Sequence, residues 1–229
     1  METLNQYLEN WDLAQRKEHS KIALFDPTLS RNLTSSEKKH FVKVFYHLRG
    51  HFHDFLWFVA SHAPNAKAKR TILENIEEEL GGNRKSHEQL YFDFAHSFGV
   101  DLKDEVVNQT SYVLFAREFN RKHLEYLANS DWDGKVIAFA AYERLDNVDY
   151  ADLLSLAKSI GATKEALTFF TVHAQVQHYE MARDKFSLEN LWDRNDQEVR
   201  EGFSFIGDHQ NQMWRDLSDS VFRYDNNNN

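Results

Sequence analysis

Three separated stretches of this chain carry acids and imidazoles at spacings that could hold metal ions. The first is Asn75-Ile76-Glu77-Glu78-Glu79-Leu80-Gly81-Gly82, followed by His87. At about 100° per residue the three glutamates fan over roughly 200° of a helix, so they cannot all face inward; Glu79, three residues past Ile76, falls beside the apolar stripe of Ile72 and Ile76. A Gly-containing break then offers a way to bring His87 back beside Glu79. The second stretch is an apolar run, Val136 to Tyr142, interrupted by Glu143 and then Asp146, an i,i+3 pair on one face. The third is Phe169-Phe170-Thr171-Val172-His173, where Gln177 and Glu180 lie about 40° and 20° round a helix from His173, while His178, near 140°, points elsewhere.

Each stretch also has a plainer reading. Glu77–Glu79 with His87 would be a solvated acidic helix end, and Glu143 would pair with a buried arginine. Taken together, Glu79, His87, Glu143, Asp146, His173 and Glu180 supply four carboxylates and two imidazoles. Four carboxylate charges balance two divalent cations, and an oxygen–nitrogen donor set suits iron or manganese. Buried carboxylates need such a cation or hydrogen bonds to be tolerable.

The elements that must position these residues are helices. The chain has 8 Gly and 2 Pro in 229 residues, where average usage would give roughly 27. Turns are therefore few, which argues against sandwiches, barrels and Rossmann sheets. Apolar residues recur at helical spacing over residues 2–20, and Thr34 with Glu37 forms a capping box opening a helix to about Ala63, before Pro64. Further helices are expected over 65–80, 84–98, 109–129, 133–160, 163–184 and 187–224, the last broken near Gly202 or Gly207, with 99–108 irregular. The expected architecture is one all-α domain over residues 1–225, with 226–229 a disordered tail.

Composition excludes several chemistries. There is no Cys, hence no disulfide framework, thiolate zinc site, Cys-ligated iron–sulfur cluster or thiol nucleophile. A net charge of −9 disfavours nucleic acid and anionic membranes as partners. There is neither an 18-residue apolar run nor a basic, apolar leader, so the expected location is the cytoplasm.

The order and approximate spacing of Asn75–Gly82 with His87, Ala140–Glu143 and Phe169–His173 resemble the three metal-binding stretches of the haem-oxygenase-like diiron oxidases. That family includes a one-alkene-forming fatty acid decarboxylase, a chlorolysine-cleaving lyase, the para-aminobenzoate synthase of Chlamydia and several N-oxygenases. The resemblance covers residues 35–185 and implies a seven-helix haem-oxygenase-like bundle. It matches the family's glutamates to Glu79 and to Glu143, which bridges the metals, and its histidines to His87 and His173. Asp146 stands where some members have His, and the family's His-x3-Asp-x2-His helix becomes His173-x3-Gln177-x2-Glu180, a more carboxylate-rich set. Among members, this variant is most similar to the cyanobacterial nitrile synthase acting on a brominated tryptophan. The resemblance implies two ferrous ions and dioxygen as cofactors, and a small amino-acid-like substrate, aromatic residues being available to line its pocket. The reaction would be oxidative rearrangement, C–C cleavage, N-oxygenation or nitrile formation, and a homodimer is a common assembly. Tyr142 and Gln177 would support the ligands by hydrogen bonding. His19, the one first-helix candidate for a haem-oxygenase-type histidine, reads as solvated. The competing functions are a metal-free helical interaction module and an iron-binding protein without oxidase activity.

Overall fold

The computed structural model describes residues 2–175 and 186–227, and among them there is no strand. The helices are α1 (Leu4–His19), α2 (Pro27–Ser30), α3 (Ser35–Ser61), α4 (Ala66–Glu79), α5 (His87–Ser97), α6 (Lys103–Asn108), α7 (Leu114–Asn129), α8 (Trp132–Ser159), α9 (Thr168–Gln175), α10 (Leu188–Arg194), α11 (Asp196–Phe222) and α12 (Tyr224–Asn227), with a 3-10 turn at Ala23–Phe25. The all-α expectation holds, but seven helices are too few. Short helices α2, α6, α10 and α12 stand among the long ones, each a brief turn that composition alone does not register.

Local sequence sets the starts. Capping boxes at Thr3/Gln6, Thr34/Glu37 and Ser86/Gln89 open α1, α3 and α5, and the Asn65 and Asp131 side chains cap α4 and α8. The stop after α4 is Gly81, whose φ of +84° favours glycine; a Cβ there would lie 2.6 Å from backbone atoms of Lys85 and Ser86.

Two boundaries differ from the sequence reading. The helix expected over 187–224 is divided at Asn195, and α11 runs unbroken through Gly202 and Gly207. Those glycines instead allow close approach: a Cβ on Gly202 would sit 2.5 Å from Ile137 Cγ2, and one on Gly207 would sit 2.7 Å from Gln15 Nε2. The stretch 99–108, expected to be irregular, contains α6.

α8 is the central element, buried continuously from Gly134 to Glu143, as befits a helix apolar on nearly every side. Two hydrophobic clusters form around it. One gathers Phe45, Tyr91, Phe94, Tyr150, Phe169 and Trp214; the other Trp11, Phe55, Leu56, Phe139, Ala140 and Phe203. The clusters meet at a polar seam. Arg49 of α3 sits there between Leu48 of one cluster and Phe52 of the other, and Glu143 and Asp146 of α8 lie between Tyr142 and Tyr150.

His19 is buried, contrary to the solvated reading. Its Nδ1 lies 2.7 Å from Asp152 Oδ2 and its Nε2 3.2 Å from Asp149 Oδ1. Asp149 also accepts from Gln210 Nε2 (2.8 Å) and Trp214 Nε1 (3.2 Å), so this clamp ties α1, α8 and α11 together. Burial alone would lower the imidazole's pKa; hydrogen bonds and charge from both carboxylates outweigh it and raise it to about 9.

Candidate metal centre

Glu79 is the last residue of α4, whose inward stripe is Ile72, Ile76 and Glu79. The tight turn at Gly81 reverses the chain, and His87 is the first residue of α5. The two side chains meet as expected, His87 Nδ1 lying 2.9 Å from Glu79 Oε1. From the opposite side α9 brings His173, 3% exposed. Its Nδ1 lies 2.7 Å from the Phe169 carbonyl oxygen, which can only accept, so Nδ1 carries the proton and Nε2 presents a lone pair. Tyr150 stacks on the His173 ring at 4.2 Å and 7°, and the His87 ring is 4.3 Å away. One ligand atom from each of Glu79, His87 and His173 lies within 4.8 Å of the others, the one such group among the described residues.

Arg49 occupies the middle of this group. A single guanidinium nitrogen, Nη2, donates to Glu79 Oε2 at 2.8 Å and to His173 Nε2 at 3.0 Å. His53 Nε2 is 3.4 Å from the same Glu79 oxygen. Arg49 therefore pairs with Glu79, not with Glu143; the neighbouring Arg144 turns away to a bidentate pair with Asp12, 2.8 Å at each nitrogen.

The electrostatics suit a metal. Burial would raise the Glu79 carboxyl, but the Arg49 guanidinium, with His53 and His87, holds it well below the usual carboxylate range. Burial and the same guanidinium hold His173 neutral, which ligation requires. On α8, Glu143 is 3% exposed. Burial first, then mutual repulsion with Asp146 and the charge of Glu79, pushes its carboxyl well above the ordinary value. Burial also raises Asp146, Arg49 opposing and Asp149 and Glu79 adding to it.

The structure thus gathers Glu79, His87 and His173 into one group. It sets Glu143 and Asp146 on α8 within electrostatic reach of Glu79 and Arg49 but outside that group. Glu180, Gln177 and His178 lie outside the described residues. Arg49, His53 and Tyr150 were not singled out from sequence, though Arg49 had a readable signal: it stands four residues after Phe45 and three before Phe52, on the buried stripe of α3.

One carboxylate and two imidazoles form a donor set suited to ferrous iron. Buried Glu143 and half-buried Asp146 beside it, which ionise only at a cost, are the groups a second cation would stabilise. Two openings reach the group. A cavity of about 30 Å³, the size of a single water, lies between Arg49, His53, Glu79, His87 and Tyr91. A cleft of about 640 Å³ borders His87 from the side of Glu78, Gly81, Arg84, Thr168 and Val172, within the size range of small-molecule sites.

Comparison with known proteins agrees with this donor chemistry. Two crystal structures of a CADD-like protein of unknown function from Nostoc punctiforme PCC 73102, at 1.35 Å and 2.00 Å resolution, share the fold. The first superposes with a TM-score of 0.68 at 14% identity, over 95% of this chain and 97% of that one. The second gives 0.72 at 15%, over 94% and 98%. No curated protein matches the sequence. A family model described as "iron-containing redox enzyme" matches residues 39–205, a span that takes in Glu79, His87, Glu143, Asp146 and His173, and the chain belongs to that family.

Proposed function

We propose that this protein is an oxygen-dependent non-haem diiron oxidoreductase acting on a small amino-acid-like substrate. The observation that carries the reading is the meeting of ionised Glu79, His87 and neutral His173 beside the two carboxylates of α8, Glu143 and Asp146. Glu79, His87 and His173 would hold one iron. Glu143 and Asp146, with the sequence-assigned Glu180, would hold a second. Bound ferrous ions would supply the electrons that reduce dioxygen and the oxidising power that reaches the substrate.

The chain's own residues do the rest. The Phe169 carbonyl and the Tyr150 ring hold His173 in one tautomer and one plane, so that Nε2 faces the group. Phe52 and Tyr142, stacked at 4.9 Å on the other flank of the seam, keep water from that side. The cleft beside His87 gives a substrate access without passing through the core. Nitrile formation from a tryptophan derivative is the specific form of the reading, and N-oxygenation and C–C cleavage are its siblings.

The test is anaerobic reconstitution followed by mixing with oxygen. About two irons per chain are expected, with at least one lost on Glu79→Ala or His173→Ala. Oxygen consumption should rise with one member of an amino-acid panel that includes tryptophan and its bromo-derivatives. Iron bound without substrate-dependent oxygen use would leave an iron-binding protein, and no iron at all would overturn the reading.

A further inference from the structure

A second cavity, of about 160 Å³, lies between α3, α6 and α7. Tyr46 and Gly50 border both it and the small cavity beside Glu79, so the two open side by side. Its polar wall divides into groups that are satisfied and groups that are not. Glu105 is satisfied: it accepts from Thr110 Oγ1 (2.6 Å), Ser111 N (2.7 Å) and Ser111 Oγ (2.8 Å), and pairs with His47 Nε2 (3.0 Å) and Lys43 Nζ (3.7 Å).

Asn120 and His51 are not satisfied. Asn120 is 7% exposed, and its Nδ2 donates to the His47 carbonyl (3.3 Å) and to the Tyr112 hydroxyl (2.6 Å). That fixes the amide's orientation and leaves Oδ1 with no partner among the described residues. His51 is 3% exposed, and its Nε2 likewise has no partner. Its Nδ1 is 4.0 Å from Asp54 Oδ2. That gap is too long for a hydrogen bond.

The chemistry of these atoms selects a ligand. Asn120 Oδ1 and the Asp54 carboxylate can only accept. Burial, with His209 nearby, keeps His51 neutral down to a pKa of about 3. The ligand must therefore donate several hydrogen bonds, and beside Asp54 and Glu105 it is favoured if positively charged. A metal ion does not fit, because the one group of suitably converging ligand atoms among the described residues is Glu79, His87 and His173.

Gly50 adds an independent observation. It lies inside α3, where helix propensity favours alanine, and a Cβ there would meet nothing within 4 Å. Packing does not require glycine at this position. What glycine does provide is an absence of side chain where the two cavities adjoin.

We propose that this cavity is a subsite for the protonated primary amine of a small organic ligand, held by Asn120 Oδ1 and the Asp54 carboxylate, with Gly50 keeping the way to the metal centre clear. The subsite itself needs no metal. That its occupant is the enzyme's substrate rests on the functional reading above.

The test uses the metal-free full chain and two primary amines, n-butylammonium and n-octylammonium, with 1-butanol as the neutral control, read by calorimetry and saturation-transfer NMR. Butylammonium should bind about tenfold or more tighter than butanol, and Asp54→Asn, at an exposed side chain that leaves the fold intact, should remove most of that difference. Octylammonium should bind tighter still, and Gly50→Leu should abolish the gain from the longer chain while butylammonium binding and the melting temperature are kept. Equal binding of amine and alcohol, or an Asp54→Asn protein that binds like wild type, overturns the subsite; an undiminished chain-length gain in Gly50→Leu overturns the role of Gly50. Amine binding by a protein that, once iron-loaded, oxidises no amine keeps the subsite and overturns its assignment to the substrate.

Discussion

The His19 clamp predicts a pH-dependent stability that one substitution should erase. His19 is 2% exposed and its pKa is raised from 6.5 to about 9, chiefly against burial and by Asp149 and Asp152. A histidine whose folded-state pKa is raised stabilises the fold fully below its unfolded value and loses that stabilisation as pH climbs through the folded value. The difference corresponds to about 3 kcal/mol, present below pH 6.5 and largely gone by pH 9. His19→Gln removes the titrating group and leaves two acids short of a cation. Urea unfolding of both proteins at pH 6.5 and pH 9.5 should show the gap between them shrinking by about 3 kcal/mol at the higher pH, with other titrations cancelling in the comparison. A gap of equal size at both pH values refutes the clamp as a charged pair.

Arg49→Met should destabilise the metal-free protein by about 3–5 kcal/mol, because it strips Glu79 of its buried partner, and iron should recover most of that loss; melting curves with and without ferrous iron decide it, and an equal loss in both would count against a shared position for guanidinium and metal. Gly81→Ala forces a Cβ to 2.6 Å from the Lys85 and Ser86 backbone, so it should cost about 1–3 kcal/mol and weaken iron binding by shifting His87 from Glu79, as measured by calorimetry and metal titration. Gly202→Ala drives a methyl to 2.5 Å from Ile137 Cγ2 and should lower stability by about 1–3 kcal/mol without altering iron content.

The sequence made the helices and half of the centre legible for physical reasons that differ by residue. Glu79 and His87 were readable because they stand only eight positions apart across two glycines, so local geometry brings them together. His173 was readable from its place at the end of an aromatic run that must pack inward. The Asp149–His19–Asp152 clamp was not, since Asp152 is 133 residues from His19 and nothing in the neighbourhood of a single histidine announces a partner that distant. Arg49 was not singled out, and the arginine expected to pair with Glu143 was left without a position; the choice of Glu79 over Glu143 depends on how α3 crosses α4, which periodicity does not encode. The glycines of α11 were read as breaks because a lone helical glycine looks the same whether it ends a helix or admits a neighbour, and only the approach of Ile137 and Gln15 separates the two.

The Gly81 turn also bears on the order in which the centre is assembled. Glu79 and His87 close a loop of eight residues, whereas His173 must arrive across 124 residues from Arg49. Closing a short loop costs little chain entropy and occurs in well under a microsecond, while distant contacts wait for the chain to collapse. The α4–α5 hairpin is therefore expected to form its carboxylate–imidazole pair early, and the docking of α9 onto α8 to complete the group late. A nascent chain released before residue 168 would already carry two of the three converging donors, and the third would arrive only when the last half of the bundle closes around it.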